Sequence, residues 1–293
     1  MQFKYWIWFV LIGSATSVTG HPTGNMISFG EYVLWPYIDP IDDPGHHACV
    51  MKWSIGSEPE IIHRSDYEAS DFILYSNGSV IYILERVFSQ TKQRHQFRIL
   101  QMGADFNAIV IWDWRDDIRP GEGGFYMITD DEMVYVEYPD VFYLHKDEPP
   151  VLCFEFNEKV KSLKKVDSDL LLLLGEEHCW LTDESGNMLQ EWKSIKERNV
   201  VDAPLHLNMI FDVDYERGNI LIANWGNRTF DLIDNKKMKS SIQHLKSPLA
   251  PHWVLFHQGK LMLFASRLLD GGSPPLPSLW MYDSNELIPI WIK

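Results

Sequence analysis

The sequence predicts an all-β fold, a β-propeller of about six four-stranded antiparallel blades, and three observations carry that prediction. Short strand-like segments ending in Asp recur at a period near fifty residues. Paired apolar runs are joined by two-residue turns, and no stretch sustains a 3.6-residue apolar period.

The recurring segments are Cys179-Trp180-Leu181-Thr182-Asp183, Phe230-Asp231-Leu232-Ile233-Asp234 and Leu279-Trp280-Met281-Tyr282-Asp283, each followed by a polar turn. A period of about fifty residues suits propeller blades and is hard to obtain from a sandwich. The paired runs are clearest where Phe72-Ile73-Leu74-Tyr75 turns at Asn77-Gly78 into Val80-Ile81-Tyr82-Ile83-Leu84. A second case is Trp253-Val254-Leu255-Phe256, which turns at Gln258-Gly259 into Leu261-Met262-Leu263-Phe264. Asn-Gly between two such runs signals a hairpin because both residues tolerate positive φ.

Laid along the chain, this outline gives six units beginning near Asn25, Asp71, Gly124, Val160, Asn208 and His252. In the first, the second to fourth strands are expected at Glu31 to Tyr37, His47 to Ile55 and Pro59 to Arg64. In the second they are expected at Ser79 to Arg86, His95 to Gln101 and Asn107 to Trp114. In the third they fall at Glu132 to Tyr138, Asp140 to His145 and Val151 to Asn157, where Pro139 tightens the connection. The best helical candidate, Gln190 to Asn199, reads better as a strand end entering a loop.

The totals agree with this reading. Of 293 residues, 45% are hydrophobic and 13% aromatic, and aromatic residues suit a pleated, half-buried surface. The net charge of −15 repels phosphate backbones and anionic membranes, which excludes a nucleic-acid partner; it suits a basic ligand and equally keeps an exported protein soluble. Lys4 precedes the apolar run Tyr5 to Ile12, which gives way to small and polar residues up to Gly20. That order reads as a signal peptide over residues 1–20 rather than an aromatic strand completing the last blade, because six blades are complete without it; 21–293 is then expected as a single propeller domain, secreted or periplasmic, monomeric and with no membrane insertion after signal removal. Cys49, Cys153 and Cys179 fit no zinc spacing; one bridge, between Cys153 and Cys179, is conceivable in an oxidising compartment, but buried free thiols are the commoner state.

One segment carries a family resemblance. Ile220-Leu221-Ile222-Ala223-Asn224-Trp225-Gly226-Asn227-Arg228-Thr229-Phe230-Asp231-Leu232-Ile233-Asp234, preceded by Phe211-Asp212-Val213-Asp214 and Gly218-Asn219, resembles one blade of an NHL-type six-bladed propeller. The other five blades lack the Gly-Asn step. The resemblance therefore implies the architecture, and by analogy a gluconolactonase-like propeller, whose acidic and amide-rich ring would bind a divalent ion.

Inner-strand starts around a propeller channel are where ligands are expected. Asp71, Asn208 and His252 occupy such positions, with His206 nearby, and are the candidate ligand-binding residues at the channel mouth; the plainer reading is that they cap strand ends. No catalytic set can be named, and neither a cofactor nor a metal is expected. Asp39, Asp42, Asp43, His46 and His47 crowd one loop, but Pro40, Pro44 and Gly45 mark an ordinary turn. Asp105, Asp113, Asp116 and Asp117 near Trp112 and Trp114 invite a sugar-cleaving reading, yet strict alternation puts both tryptophans on one face, as blade packing would. The sequons at Asn77 and Asn227 fall in turns where Asn is expected anyway. The expected function is an exported module that binds a protein or glycan ligand, with a metal-dependent hydrolase or lyase at the channel mouth as the alternative.

Overall fold

The computed structural model describes residues 24–38, 43–120, 123–154, 156, 158–176, 178–193, 210–225, 228–234, 239–246, 249–267 and 276–292. These form six four-stranded antiparallel sheets with no helix among the described residues, and each sheet is built from four strands in chain order. The protein is a six-bladed β-propeller.

The first blade is β1 (Ile27–Phe29), β2 (Tyr32–Ile38), β3 (Ala48–Trp53) and β4 (Glu60–Arg64). The second is β5 (Ser70–Ser76), β6 (Ile81–Ser89), β7 (Arg94–Met102) and β8 (Ala108–Arg115). The third is β9 (Phe125–Thr129), β10 (Glu132–Glu137), β11 (Asp140–His145) and β12 (Val151–Phe154). The fourth is β13 (Ser162–Asp167), β14 (Leu170–Leu174), β15 (Cys179–Asp183) and β16 (Met188–Trp192). The fifth is β17 (Ile210–Glu216), β18 (Asn219–Asn224), β19 (Thr229–Asp234) and β20 (Lys239–His244). The sixth is β21 (Leu249–His257), β22 (Lys260–Arg267), β23 (Leu276–Asp283) and β24 (Glu286–Ile292). The three Asp-ended repeats are thus the third strands β15, β19 and β23, and the Asn77-Gly78 hairpin joins β5 to β6 with Ser76 opposite Ile81.

Apolar residues alternate out of both faces of the middle strands, and neighbouring blades interdigitate them. One cluster joins blades one and two through Leu34, Val50, Phe72 and Ile83; another runs through blades two to four around Phe97, Trp112, Tyr135 and Leu173. The fourth, fifth and sixth blades are joined in the same way through Leu172 with Ile222 and Leu221 with Leu263. Because each blade is contiguous in sequence, no shared strand closes the ring. Side chains do so: Trp35 and Tyr37 of β2 pack against Trp291 of β24, with ring centroids at 5.8 and 5.2 Å. Aromatic pairs of this kind add about 1 kcal/mol beyond the area they bury.

Glycine matters where an inner strand is entered. Gly24 and Gly124 hold φ of 90° and 87°, and a Cβ on either would run into a carbonyl oxygen of the next blade, Phe72 or Leu163 respectively.

Two sequence expectations need comment. Strict alternation on β8 fails, because Ile99 pairs with Trp112 while Phe97 pairs with Arg115, so three steps on β8 oppose two on β7. This β-bulge turns Trp114 to the opposite face from Trp112. The cysteines are all free thiols, Cys49 and Cys179 buried and Cys153 partly so, and burial raises the pKa of Cys153 and Cys179. The segment 1–20, Asp39, Asp42, Asn227, Asn208 and His206 lie outside the described residues.

Candidate functional site

The first strand of every blade lines the channel, around a cavity of about 350 Å³ walled by Ser28, Ser76, Lys164, Lys165, Asp214 and Gln258 among others. Its lining comes from the later residues of β5, β17 and β21 and from residues 163–166 of β13. Asp71 and His252 stand near the starts of β5 and β21 and do not line it. Asp71 is held across its hairpin by Arg86, whose Nε donates to both carboxylate oxygens at 3.1 Å and whose Nη2 donates at 2.8 Å. His252 is buried at the bulge between Pro251 and Trp253.

The sequence did not point to the charged group at the channel wall. Alternation along β17 sends Val213 into the core and Asp212 and Asp214 to the other side. There Lys164 of β13 lies 3.2 Å from Asp212 Oδ1 and 3.5 Å from Asp214 Oδ1. The inner edge of β21 has no strand partner, and the two carboxylates supply acceptors for it: Asp212 takes the Val254 N–H at 3.1 Å and Asp214 the Phe256 N–H at 2.7 Å. Burial raises the Asp212 pKa to about 6, against the pull of Lys164, and raises Asp214 for the same reason. Burial also acts against the Lys164 charge, but the two carboxylates outweigh it and hold the ammonium above its usual range.

The remaining blade junctions are bonded too. Asn25 mimics a strand by donating to Leu74 O at 2.7 Å and accepting the Leu74 N–H at 2.8 Å. Tyr82 donates to Asp130 at 2.9 Å between blades two and three, and Leu163 N–H to Gly123 O at 2.6 Å between blades four and three. His257 Nδ1 lies 2.8 Å from Ser28 Oγ and Nε2 lies 3.2 Å from Glu31 O, which joins blade six to blade one. Since a carbonyl only accepts, Nε2 carries the proton and Nδ1 accepts from Ser28. Burial lowers the His257 pKa, in keeping with this neutral form. Channel polarity is therefore largely engaged in joining blades.

In the described part of the acidic loop, residues 43–47, Asp43 accepts from Gly45 N–H, His47 N–H, His47 Nδ1 and Arg64 Nη1 at 2.7–3.1 Å. Partial burial works against the Asp43 charge, but the His47 and Gly45 hydrogen bonds hold its carboxyl below the usual range. Among the described residues, no three His, Cys, Asp or Glu side chains converge as a metal set would.

A second arrangement lies at the connection between blades one and two. The bulge that turns Trp114 brings it edge-to-face against Tyr67, with centroids at 5.0 Å. The Arg98 guanidinium sits 4.9 Å from the Tyr67 ring and 4.8 Å from the Trp114 ring. Arg98 is in turn paired with Glu85, a fully buried carboxylate that also accepts from Ser65 Oγ. Tyr67 is 40% exposed and Trp114 half-buried, and Asp66, Glu68 and Asp113 around them are exposed. Trp112, by contrast, is buried and donates its indole N–H to Asp130 O at 2.6 Å.

Neither a family profile nor a curated protein sequence matches the chain. Solved structures share its fold at low identity. An α-L-arabinofuranosidase of Fusarium graminearum in complex with arabinobiose is 9% identical, with 92% of this chain and 96% of that one covered and a TM-score of 0.62. A chain of the nidogen/laminin complex is 14% identical over 80% and 84% of the two chains, with a TM-score of 0.54. A streptogramin B lyase is 10% identical over 84% and 91%, with a TM-score of 0.50. The likeness is one of fold: the six-bladed propeller of this chain is shared at low identity with a glycosidase, a lyase and a chain of a protein complex alike.

Proposed function

We propose that the chain is an exported recognition module that binds a protein or glycan ligand through the exposed pair Tyr67 and Trp114. The observation that carries this reading is the Arg98 support beneath the two rings, itself fixed by buried Glu85 and Ser65. Aromatic rings held in place beforehand lose little entropy when a ligand stacks on them. The exposed carboxylates of Asp66, Glu68 and Asp113 supply acceptors for sugar hydroxyls or for a basic peptide. The nidogen/laminin structure is a precedent for a protein complex on this fold, and fold alone does not choose between roles. Engagement of Asp212, Asp214 and Lys164 in blade junctions also favours binding over chemistry.

The alternative is a metal-dependent hydrolase or lyase in the channel, favoured by the 350 Å³ cavity and by Asp214 on its wall, a carboxylate whose pKa burial raises. Immobilised glycans and basic peptides presented to wild type and to Trp114→Ala separate the two. Retention by wild type that falls at least about tenfold in the variant is the expected result, as for loss of an aromatic anchor. Equal retention by both proteins would place recognition elsewhere. Turnover of a glycoside or lactone that Asp214→Asn abolishes and Trp114→Ala leaves intact would establish the enzyme.

A further inference from the structure

Three arginines and a histidine meet on the opposite side of the second blade, around a hollow of about 330 Å³. Arg86 comes from β6, Arg94 and His95 from β7, and Arg119 from the connection that follows β8, with Phe88 and Ile118 as apolar wall. In a chain of net charge −15, such a gathering of cations stands out against its surroundings. Two of them are already steadied. Arg86 forks onto Asp71 and donates through Nη1 to Pro120 O at 3.3 Å, while Arg94 shares Asp116 with Lys92, at 2.9 and 2.6 Å.

Arg119 differs. Its main-chain N–H is anchored on Glu137 at 3.0 Å, its side chain is exposed, and no carboxylate of a described residue pairs with its guanidinium. Next to the arginines stands Phe88, 40% exposed, with the His95 ring edge-on at 5.3 Å. A planar guanidinium offers the fork that a carboxylate fits, and an apolar wall beside it rewards a hydrophobic body.

We propose that this hollow binds a small oxyanion carried on an apolar body, of which an aryl carboxylate is the simplest case. Arg119 receives the oxyanion; Arg86 and Arg94, whose charges Asp71 and Asp116 offset, form part of the rim, and Phe88 and Ile118 contact the apolar part. The site does not depend on the Tyr67 and Trp114 reading. Phe97 at the hollow packs toward blade three, and its neighbour Arg98 under those rings points to the other face.

Calorimetric titration at low ionic strength with benzoate, and with benzyl alcohol as its neutral counterpart, tests the proposal. Saturable benzoate binding is expected in wild type and in Trp114→Ala, at least about tenfold weaker in Arg119→Gln, with no saturation by benzyl alcohol. Because Arg119 is exposed, Arg119→Gln is expected to melt at the wild-type temperature. Absence of saturable benzoate binding, equal affinity for the alcohol, or equal affinity in Arg119→Gln would each overturn the assignment. Benzoate binding lost in Trp114→Ala but kept in Arg119→Gln would also overturn it, by moving the ligand to the aromatic pair.

Discussion

The carboxylate of Asp214 accepts the backbone N–H of Phe256 at 2.7 Å, so an acidic side chain of one blade completes the open edge of the next blade's inner strand. Asp212 does the same for Val254, and Lys164 of the preceding blade pairs with both carboxylates. Three consecutive blades are joined by these side chains.

Removing the cation should be costly. Lys164→Met leaves two buried carboxylates facing each other, and a loss of about 3 kcal/mol at pH 7 is expected, measured by denaturant unfolding. The loss should shrink at pH 5, where a carboxylate of the pair can take up a proton. A variant as stable as wild type at pH 7 would mean that the group carries no net interaction.

The sign of the pH dependence differs between two of these junctions. The Asp212 pKa is raised to about 6 from an ordinary 3.8, so its contribution is fully present below 3.8 and is lost as pH rises through about 6. The His257 pKa is lowered below 6.5, so its contribution is present above 6.5 and is lost as pH falls through the folded value. His63 and His95 share the sign of His257, so the informative readout is the difference between wild type and variant. Relative to wild type, Asp212→Asn should lose the gain in stability between pH 7 and pH 5, a gain of about 1 kcal/mol. His257→Gln should lose acid sensitivity instead, and identical pH profiles for the three proteins would contradict both assignments.

Two tryptophans one residue apart on the same strand should behave differently. Trp112 is buried with its indole N–H bonded, so Trp112→Ala should destabilise by about 3–5 kcal/mol. Trp114 is half exposed, so Trp114→Ala should cost about 1 kcal/mol while removing ligand binding. Equal thermal shifts for the two variants would argue that the bulge does not divide their roles.

Export makes a separate prediction. Expressed in its host, the protein should begin close to residue 21, read by intact mass or N-terminal sequencing. Recovery of folded cytoplasmic protein that retains Met1 would remove the signal-peptide reading.

The blade outline was legible because it depends on short-range chemistry. The Asn77-Gly78 pair marked the hairpin, but counting outward from a two-residue turn sets Asp71 opposite Leu84; residues 77–80 all lie in the loop, and this shifts the register by two and brings Asp71 opposite Arg86. The strands of the first two blades end within a few residues of their expected positions. The channel group was half legible: Asp212 and Asp214 flank Val213 in an inner strand, which already says that two carboxylates share one face. Their partners were not legible, because Lys164 belongs to the preceding blade and the acceptorless N–H groups belong to the backbone of the following one. Trp114 escaped because its direction is set by a bulge, and nothing in Trp112-Asp113-Trp114 distinguishes a bulged strand from a regular one.

Contiguous blades also bear on how the chain is made. Every sheet closes its own hydrogen bonds between neighbouring strands, so a blade emerging from the ribosome can settle against the one before it without waiting for distant sequence. The seam between the sixth and first blades is the exception. Until the sixth blade arrives with Trp253, Phe264 and Trp291, the face of the first blade that carries Trp35 and Tyr37 lacks its cover, so this apolar surface is the last to be buried as the chain is made.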